Sequence, residues 1–89
     1  MDNATLTEFL GTSLLIGAIS FSGSSALVIA AFAIAVGLGF KISGAHFNPA
    51  VTSWALLSGK ISQSKAIMYM IAQLAAAVFV YVVGTFIKV

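Results

Sequence analysis

The sequence has no cysteine, one proline, one histidine and very little charge. Without cysteine there is no disulfide, no thiolate metal site and no redox motif, so thiols say nothing about the compartment. Charged residues make up 7% of the 89 positions, against about 25% in soluble domains. They are Asp2, Glu8, Lys41, Lys60, Lys65 and Lys88. With 61% hydrophobic residues and a mean hydropathy of +1.13, such a chain cannot cover itself with a water-compatible surface. A soluble enzyme, a disordered tail and a nucleic-acid binder with a basic face are thereby excluded. The isoelectric point near 9.3 reflects four lysines over two acids, not a basic patch. One histidine and two acids, one of them terminal, offer no nucleophile–base–acid set, and His46 has no second histidine or cysteine with which to share a metal. No catalytic residue, metal or cofactor is expected.

What remains is an integral membrane protein in contact with lipid. Positions 9–40 are 32 consecutive uncharged residues, too long for one helix when a span needs roughly 20. Phe21-Ser22-Gly23-Ser24-Ser25 breaks the run with small polar residues and a glycine, which mark a turn. Two spans follow, about 5–22 and 25–41. Met68, Ile71, Leu74, Val78 and Tyr81 recur at helical spacing in the C-terminal stretch and place a third span at about 62–88. A cleaved signal peptide is disfavoured, because Asp2 and Glu8 lead the first run and no basic residue does. Lys41, Lys60 and Lys65 flank one side of the membrane and Lys88 the other, so the N-terminus and the 41–65 segment should be cytoplasmic. Gly11 and Gly17 in the first span, Ala26, Ala30, Ala33 and Gly37 in the second, and Ala72, Ala76 and Ala77 in the third are expected at close helix contacts.

The segment 42–59 is too apolar for an ordinary loop and too short in its helical part to span. Asn48 suits an N-cap, Pro49 the first helical position and Gly59 the stop. A helix over 49–58 would be about 15 Å long, half of a ~30 Å hydrocarbon core. Ser43-Gly44-Ala45 before it favours extended backbone with free carbonyls. Irregular backbone at membrane depth survives only where protein buries it or a watery cavity receives it. The segment therefore reads as a re-entrant lining of an aqueous path. The carbonyls of Gly44, Ala45 and His46 would offer acceptors, and Asn48 donors, to a polar solute. The half-helix N-terminus would oppose cations. A surface amphipathic hairpin is the plain alternative.

Ser43-Gly44-Ala45-His46-Phe47-Asn48-Pro49-Ala50-Val51-Thr52 closely resembles the first Asn-Pro-Ala loop of the aquaporin (major intrinsic protein) family. Glu8-Phe9-Leu10-Gly11-Thr12 is similar to the first-span motif of the same repeat, and Tyr69-Met70-Ile71-Ala72-Gln73 to its third span. The three fall in order and cover roughly 5–88. The resemblance implies an all-α membrane protein with three transmembrane helices and one re-entrant half-helix. It implies that two such repeats, inverted, bring two half-helices together around a water or glycerol pore. It also implies that Glu8 anchors the carbonyl ladder and that Gln73 supports it. Gly44, Ala45, His46, Asn48, Pro49 and Ala50 become pore-lining candidates. Val51 stands where second repeats of the family carry an arginine. Val28 stands where an aromatic is usual, with Phe32 the nearby bulky residue. One repeat cannot enclose the pore, so a partner is expected: an inverted second copy or a separate second repeat.

Individual residues also have plainer readings. Glu8, the only acid within a span, could serve as a proton carrier, as in a small proton-coupled exporter; structural pairing is favoured. Trp54, Tyr69 and Tyr81 are interface anchors or packing residues, with packing the default. Gly37-Leu38-Gly39 and Gly59-Lys60-Ile61 are incomplete nucleotide-binding patterns and carry no weight. Three functions stay open: a channel component for water or small neutral solutes, the exporter, and a non-transporting protein such as a holin-like factor or a truncated remnant.

Overall fold

A computed structural model describes residues 1–87. It is all-α, with no strand among those residues. α1 covers Asn3–Ser22, α2 Ser25–Ser43, α3 Pro49–Leu57 and α4 Gln63–Ile87. α1, α2 and α4 are long and apolar enough to cross a membrane. Each end has a local cause. The Asp2 carboxylate accepts from Thr5 N at 2.7 Å and caps α1; that bond holds its carboxyl below the usual carboxylate range. Gly23 turns the chain in the left-handed region at φ 63°, and Ser24 Oγ then accepts from Leu27 N to start α2. Ser62 Oγ accepts from Lys65 N at 3.1 Å at the start of α4.

The half-helix runs one residue short of the expected 49–58. α3 has nine residues, capped by Ser58 before Gly59 turns at φ 73°. At 1.5 Å per residue it is about 14 Å long. α2 runs two residues beyond the expected 41, through Ile42 and Ser43, because Gly44 at φ 89° is the residue that can take the left-handed cap. The irregular loop is accordingly shorter than expected. The fourth lysine, Lys88, lies outside the described residues.

α1 is the centre of the unit. It packs against α2 on one side and α4 on the other, and α3 packs against α4. Among the described residues α2 packs along neither α3 nor α4, and only its last residue, Ser43, reaches α4 through the Tyr69 hydroxyl, so the unit is an open arc. Its interior is small and its exterior large. Ala31, Ala35, Ala55, Ala66, Ala72 and Ala76 are buried, whereas Leu38, Leu74, Val78 and Phe86 point outward. That inversion suits lipid, where close backbone approach rather than apolar burial holds helices together.

The phase of α2 differs from the sequence expectation. Its buried row is Ala31, Ala35, Gly39 and Ser43; Ala26, Ala30, Ala33 and Gly37 lie on the opposite side and are exposed. α2 is alanine- and glycine-rich on two faces, so composition alone could not choose between them. Gly17 likewise has no neighbour. Ala72 and Ala76 are buried as expected, and Ala77 is half-buried.

Gly11 does make the expected close contact. The ring of Phe47, a residue only 4% exposed, sits against Gly11 on α1 and Gly39 on α2. A Cβ on Gly11 would overlap that ring, whereas one on Gly17 would meet nothing. Gly11→Ala should therefore displace Phe47 and destabilise the fold by about 1–3 kcal/mol. Gly17→Ala should be neutral or stabilising by up to about 1 kcal/mol through helix propensity. Thermal unfolding of both variants in mild detergent is the check, and equal midpoints would refute the role given to Phe47.

Candidate functional site

The site is built on one buried carboxylate. Thr5, Glu8 and Thr12 form the buried row of α1, and Glu8 is 0% exposed. Its Oε2 accepts from Ser43 Oγ at 2.7 Å and from His46 N at 3.0 Å. Its Oε1 accepts from Phe47 N at 2.7 Å and from Gln73 Nε2 at 2.9 Å. Four donors from three parts of the chain thus surround an acceptor-only group. Two of them are successive backbone N–H groups of the α2–α3 loop, the nest arrangement that suits an anion.

That anchoring sets the direction of the loop carbonyls. Ala45 N also points inward, to Ser43 Oγ at 3.1 Å. There are no cis peptides, and in a trans peptide the C=O lies opposite the N–H. With the N–H groups of 45, 46 and 47 turned toward Ser43 and Glu8, the carbonyls of Gly44, Ala45 and His46 point away from them. None of the three accepts a hydrogen bond from the described residues. The arrangement needs unusual backbone: Ala45 and Phe47 stand at φ 53° and 55°. Non-glycine residues rarely hold such angles unless their surroundings impose them. Here the Glu8 bonds and the buried Phe47 ring impose them.

The half-helix follows at once. Asn48 is its N-cap; its Oδ1 accepts from Ala50 N at 2.8 Å. The Asn48 amide nitrogen has no partner among the described residues. Pro49 is the first helical residue, and Asn48, Ala50 and Val51 are exposed. On the opposite, buried side of α3, Thr52 Oγ1 lies 2.9 Å from both Gln73 Nε2 and His46 Nδ1. The structure therefore brings Glu8, His46 and Gln73 into one network, and sets Gly44, Ala45, Asn48, Pro49, Ala50 and Val51 in one continuous stretch beside it. It does not bring Val28 and Phe32 to that stretch. Both are in the first half of α2, which packs along α1; Val28 is half-buried and Phe32 is 46% exposed.

Three polar residues of the network had no hydrogen-bonding role assigned from the sequence: Ser43, Thr52 and Tyr69. Tyr69 is fully buried, donates to the Ser43 carbonyl at 2.7 Å and meets the His46 ring edge-on at 5.1 Å. The default of packing holds for its ring and misses its hydroxyl. The spacing Tyr69–Gln73, one helical turn, was the available signal: two polar-tipped residues on the small-residue face of an apolar helix. Trp54 and Tyr81, by contrast, are exposed, with the Lys60 ammonium 5.5 Å over the Trp54 ring.

Comparison with known proteins bears on this geometry. The sequence profile described as "Major intrinsic protein" matches residues 1–88. The chain is 41% identical to "Glycerol uptake facilitator protein-like 6" of Lactiplantibacillus plantarum over 82% of its own length and 38% of that protein's. It is 39% identical to "Aquaporin TIP1-1" of Arabidopsis thaliana, over 84% of this chain and 38% of that protein. It is also 39% identical to "Aquaglyceroporin AqpS" of Rhizobium meliloti, over 82% of this chain and 38% of that one. The chain thus spans about two fifths of the length of the curated relatives it matches. No solved structure matches it.

The carboxylate can be tested without any transport measurement. Glu8→Gln replaces one acceptor oxygen by an NH2 group, and either orientation leaves a backbone N–H, that of His46 or of Phe47, without its acceptor. A buried donor left unpaired costs about 1–3 kcal/mol. Amide hydrogen exchange at one or both of these residues is expected to accelerate while the middle of α1 stays protected. Unchanged exchange at both would show that Glu8 does not hold the loop.

Proposed function

Because this chain belongs to the major intrinsic protein family and is an integral membrane protein, we propose that it is a component of a channel for the passive passage of water or small neutral solutes such as glycerol. One observation carries the reading: three outward carbonyls run directly into a capped half-helix, and neither they nor the Asn48 amide nitrogen has a partner among the described residues. A polar solute shedding water needs such a row of acceptors ending in a donor. Gly44, Ala45, His46, Asn48, Pro49 and Ala50 line the path, and the N-terminus of α3, carrying roughly half a positive charge, opposes cations there.

Glu8 supports a channel over a proton-coupled exporter. A proton carrier must meet water during its cycle, whereas this carboxylate is fully buried and each of its oxygens accepts two hydrogen bonds. Its role is to hold the loop, with Gln73 assisting.

An open arc does not enclose a path, so a second repeat completes it. The exposed ridge of Ala26, Ala30, Ala33 and Gly37 offers close helix approach, and α3 leaves Val51 and Trp54 uncovered. An inverted second copy is the arrangement we favour, since it supplies a second half-helix from the same sequence; a separate second repeat is the other. Orientation by the lysines puts the N-terminus and the 41–65 segment in the cytoplasm, and the inverted copy reverses this. Reporter fusions to the C-terminus should therefore give signal on both faces. A strictly one-sided terminus would leave the separate repeat.

Asn48→Leu removes the donor and the cap together, at about 0.5–2 kcal/mol for the cap alone. Osmotic water flux in proteoliposomes should fall sharply while membrane insertion persists; undiminished flux would remove Asn48 from the path.

Val51 and Val28 set the expected selectivity. With valine where second repeats of the family carry an arginine and where an aromatic is usual, and with Phe32 the nearby bulky residue, a constriction assembled with a second repeat lacks fixed charge and discriminates weakly between water and glycerol. Val51→Arg should sharpen it, given a carbonyl to accept the guanidinium; unpaired, the charge costs about 2.5–3.5 kcal/mol near the bilayer centre. Stopped-flow water and glycerol fluxes decide, and a parent chain that already excludes glycerol contradicts this assignment.

A further inference from the structure

We infer that Thr52 is a positioning residue that fixes the neutral His46 ring as its Nε2–H tautomer, so that the loop presents a hydrogen-bond donor beside its outward carbonyls. The tautomer follows from the network alone; the solute-facing role of the donor rests on the channel reading above.

The polarity of the network propagates from Glu8. Backbone N–H groups can only donate, and two of them occupy the carboxylate together with Ser43 Oγ. The remaining contact, Gln73 to Oε1 at 2.9 Å, must also be a donation, so the amide turns its NH2 and not its oxygen toward the anion. Turning the amide over would set a carbonyl against a carboxylate. This orientation leaves Gln73 Oε1 without a partner although the residue is only 2% exposed. The anion thus fixes the amide against the amide's own full satisfaction. The second proton of the same NH2 goes to Thr52 Oγ1 at 2.9 Å.

Thr52 then has one proton to place. Its side chain is 0% exposed, so water is not an acceptor. Its other hydrogen-bond contact is His46 Nδ1, at 2.9 Å. A hydroxyl that already accepts from Gln73 donates there, and Nδ1 must carry its lone pair. Were Nδ1 protonated instead, Thr52 would receive two donors and bury a hydroxyl proton with no acceptor. The ring proton of neutral His46 is therefore on Nε2.

Orientation is fixed as well as protonation. The Tyr69 ring stands edge-on to the imidazole at 5.1 Å and is itself tied to the Ser43 carbonyl. Nε2 comes to rest beside Gly44, 3.3 Å from where a Cβ on that residue would be. It has no partner among the described residues, and His46 is half-buried. The donor thus lies beside Gly44, whose carbonyl is the first of the three without a partner among the described residues. A solute hydroxyl that donates to that carbonyl would find an N–H to accept from close by. The chemical class selected is a molecule that both donates and accepts, such as water or a polyol.

His46 is the only histidine in the chain, which makes the test specific. The full chain, purified without a histidine tag, is labelled with 15N-histidine and reconstituted in bilayers at a pH where the ring is neutral. Solid-state NMR should show Nε2 protonated and Nδ1 unprotonated as a single form. Thr52→Val, which replaces the hydroxyl by a methyl of similar shape, should give a mixture of both tautomers. Thr52→Ser should restore the single form. A parent ring protonated at Nδ1, or a Thr52→Val spectrum identical to the parent's, overturns the assignment; the parent spectrum alone decides it should Thr52→Val fail to insert. Water and glycerol flux separate the two layers of the claim. Several-fold lower flux in Thr52→Val, recovered in Thr52→Ser, supports the donor's role. A changed tautomer with unchanged flux overturns that role, and a parent with the Nε2–H ring but no flux sinks the channel reading while leaving the tautomer standing.

Discussion

A carboxylate placed inside a membrane-spanning helix dominates this structure. Removing an ionised group from water costs several kcal/mol even after the protein relaxes, and lipid offers nothing in return. Glu8 has to find its donors inside the chain. α1 supplies none: its own N–H groups are committed to the helix, and the buried Thr5 and Thr12 hydroxyls on the same face make no bond to it. The donors come instead from the end of α2, from the loop and from α4. The carboxylate therefore ties to α1 three segments that lie 35 to 65 residues away from it in sequence. Loop conformation, half-helix placement and the docking of α4 through Gln73 all follow from meeting that one demand.

Two properties of the loop are consequences of this tie. Its backbone adopts left-handed angles at Ala45 and Phe47 because two successive N–H groups must reach one anion. Its carbonyls face outward because peptide planes leave them no other direction. The acceptor ladder is thus the reverse side of the anchor. Phe47 completes the arrangement from below: its ring fills the space that two glycines leave where α1 and α2 approach. A residue there has to be large and apolar, while its neighbours on the helices have to lack a Cβ.

Much of this was legible in the sequence, for identifiable reasons. Long apolar runs broken by Ser-Gly-Ser, and Asn-Pro before a short apolar stretch, are local signals that need no tertiary knowledge; they place three spans and a half-helix to within one or two residues at most of the ends. A lone acid in an apolar run announces a pairing, and Glu8 was readable on that ground. The partners were harder. Ser43 looks like one more small residue at a helix end, and Thr52 like one more residue of a half-helix. Only the three-dimensional arrangement reveals that their hydroxyls face Glu8, His46 and Gln73. The phase of α2 was not readable at all. Its small residues fall on two opposite faces, and which one meets α1 depends on where Gly39 must stand to admit Phe47.

The same ambiguity bears on the second repeat proposed above. A helix with small residues on both faces is costly to leave half-used, since in lipid the gain from close approach comes only when both backbones meet. α2 has one such face against α1 and the other exposed, and α3 has one side on α4 and the other exposed. The exposed sides belong to the two elements that make no contact with each other. A partner bridging them would turn the arc into a ring, cover Trp54 and Val51, and place its own polar loop opposite the carbonyls of Gly44, Ala45 and His46. In the proposed assembly the small face of α2 and the polar edge of the loop would be met together. A partner that covered only the small face of α2 would leave the loop's polar backbone facing lipid, which the bilayer does not tolerate.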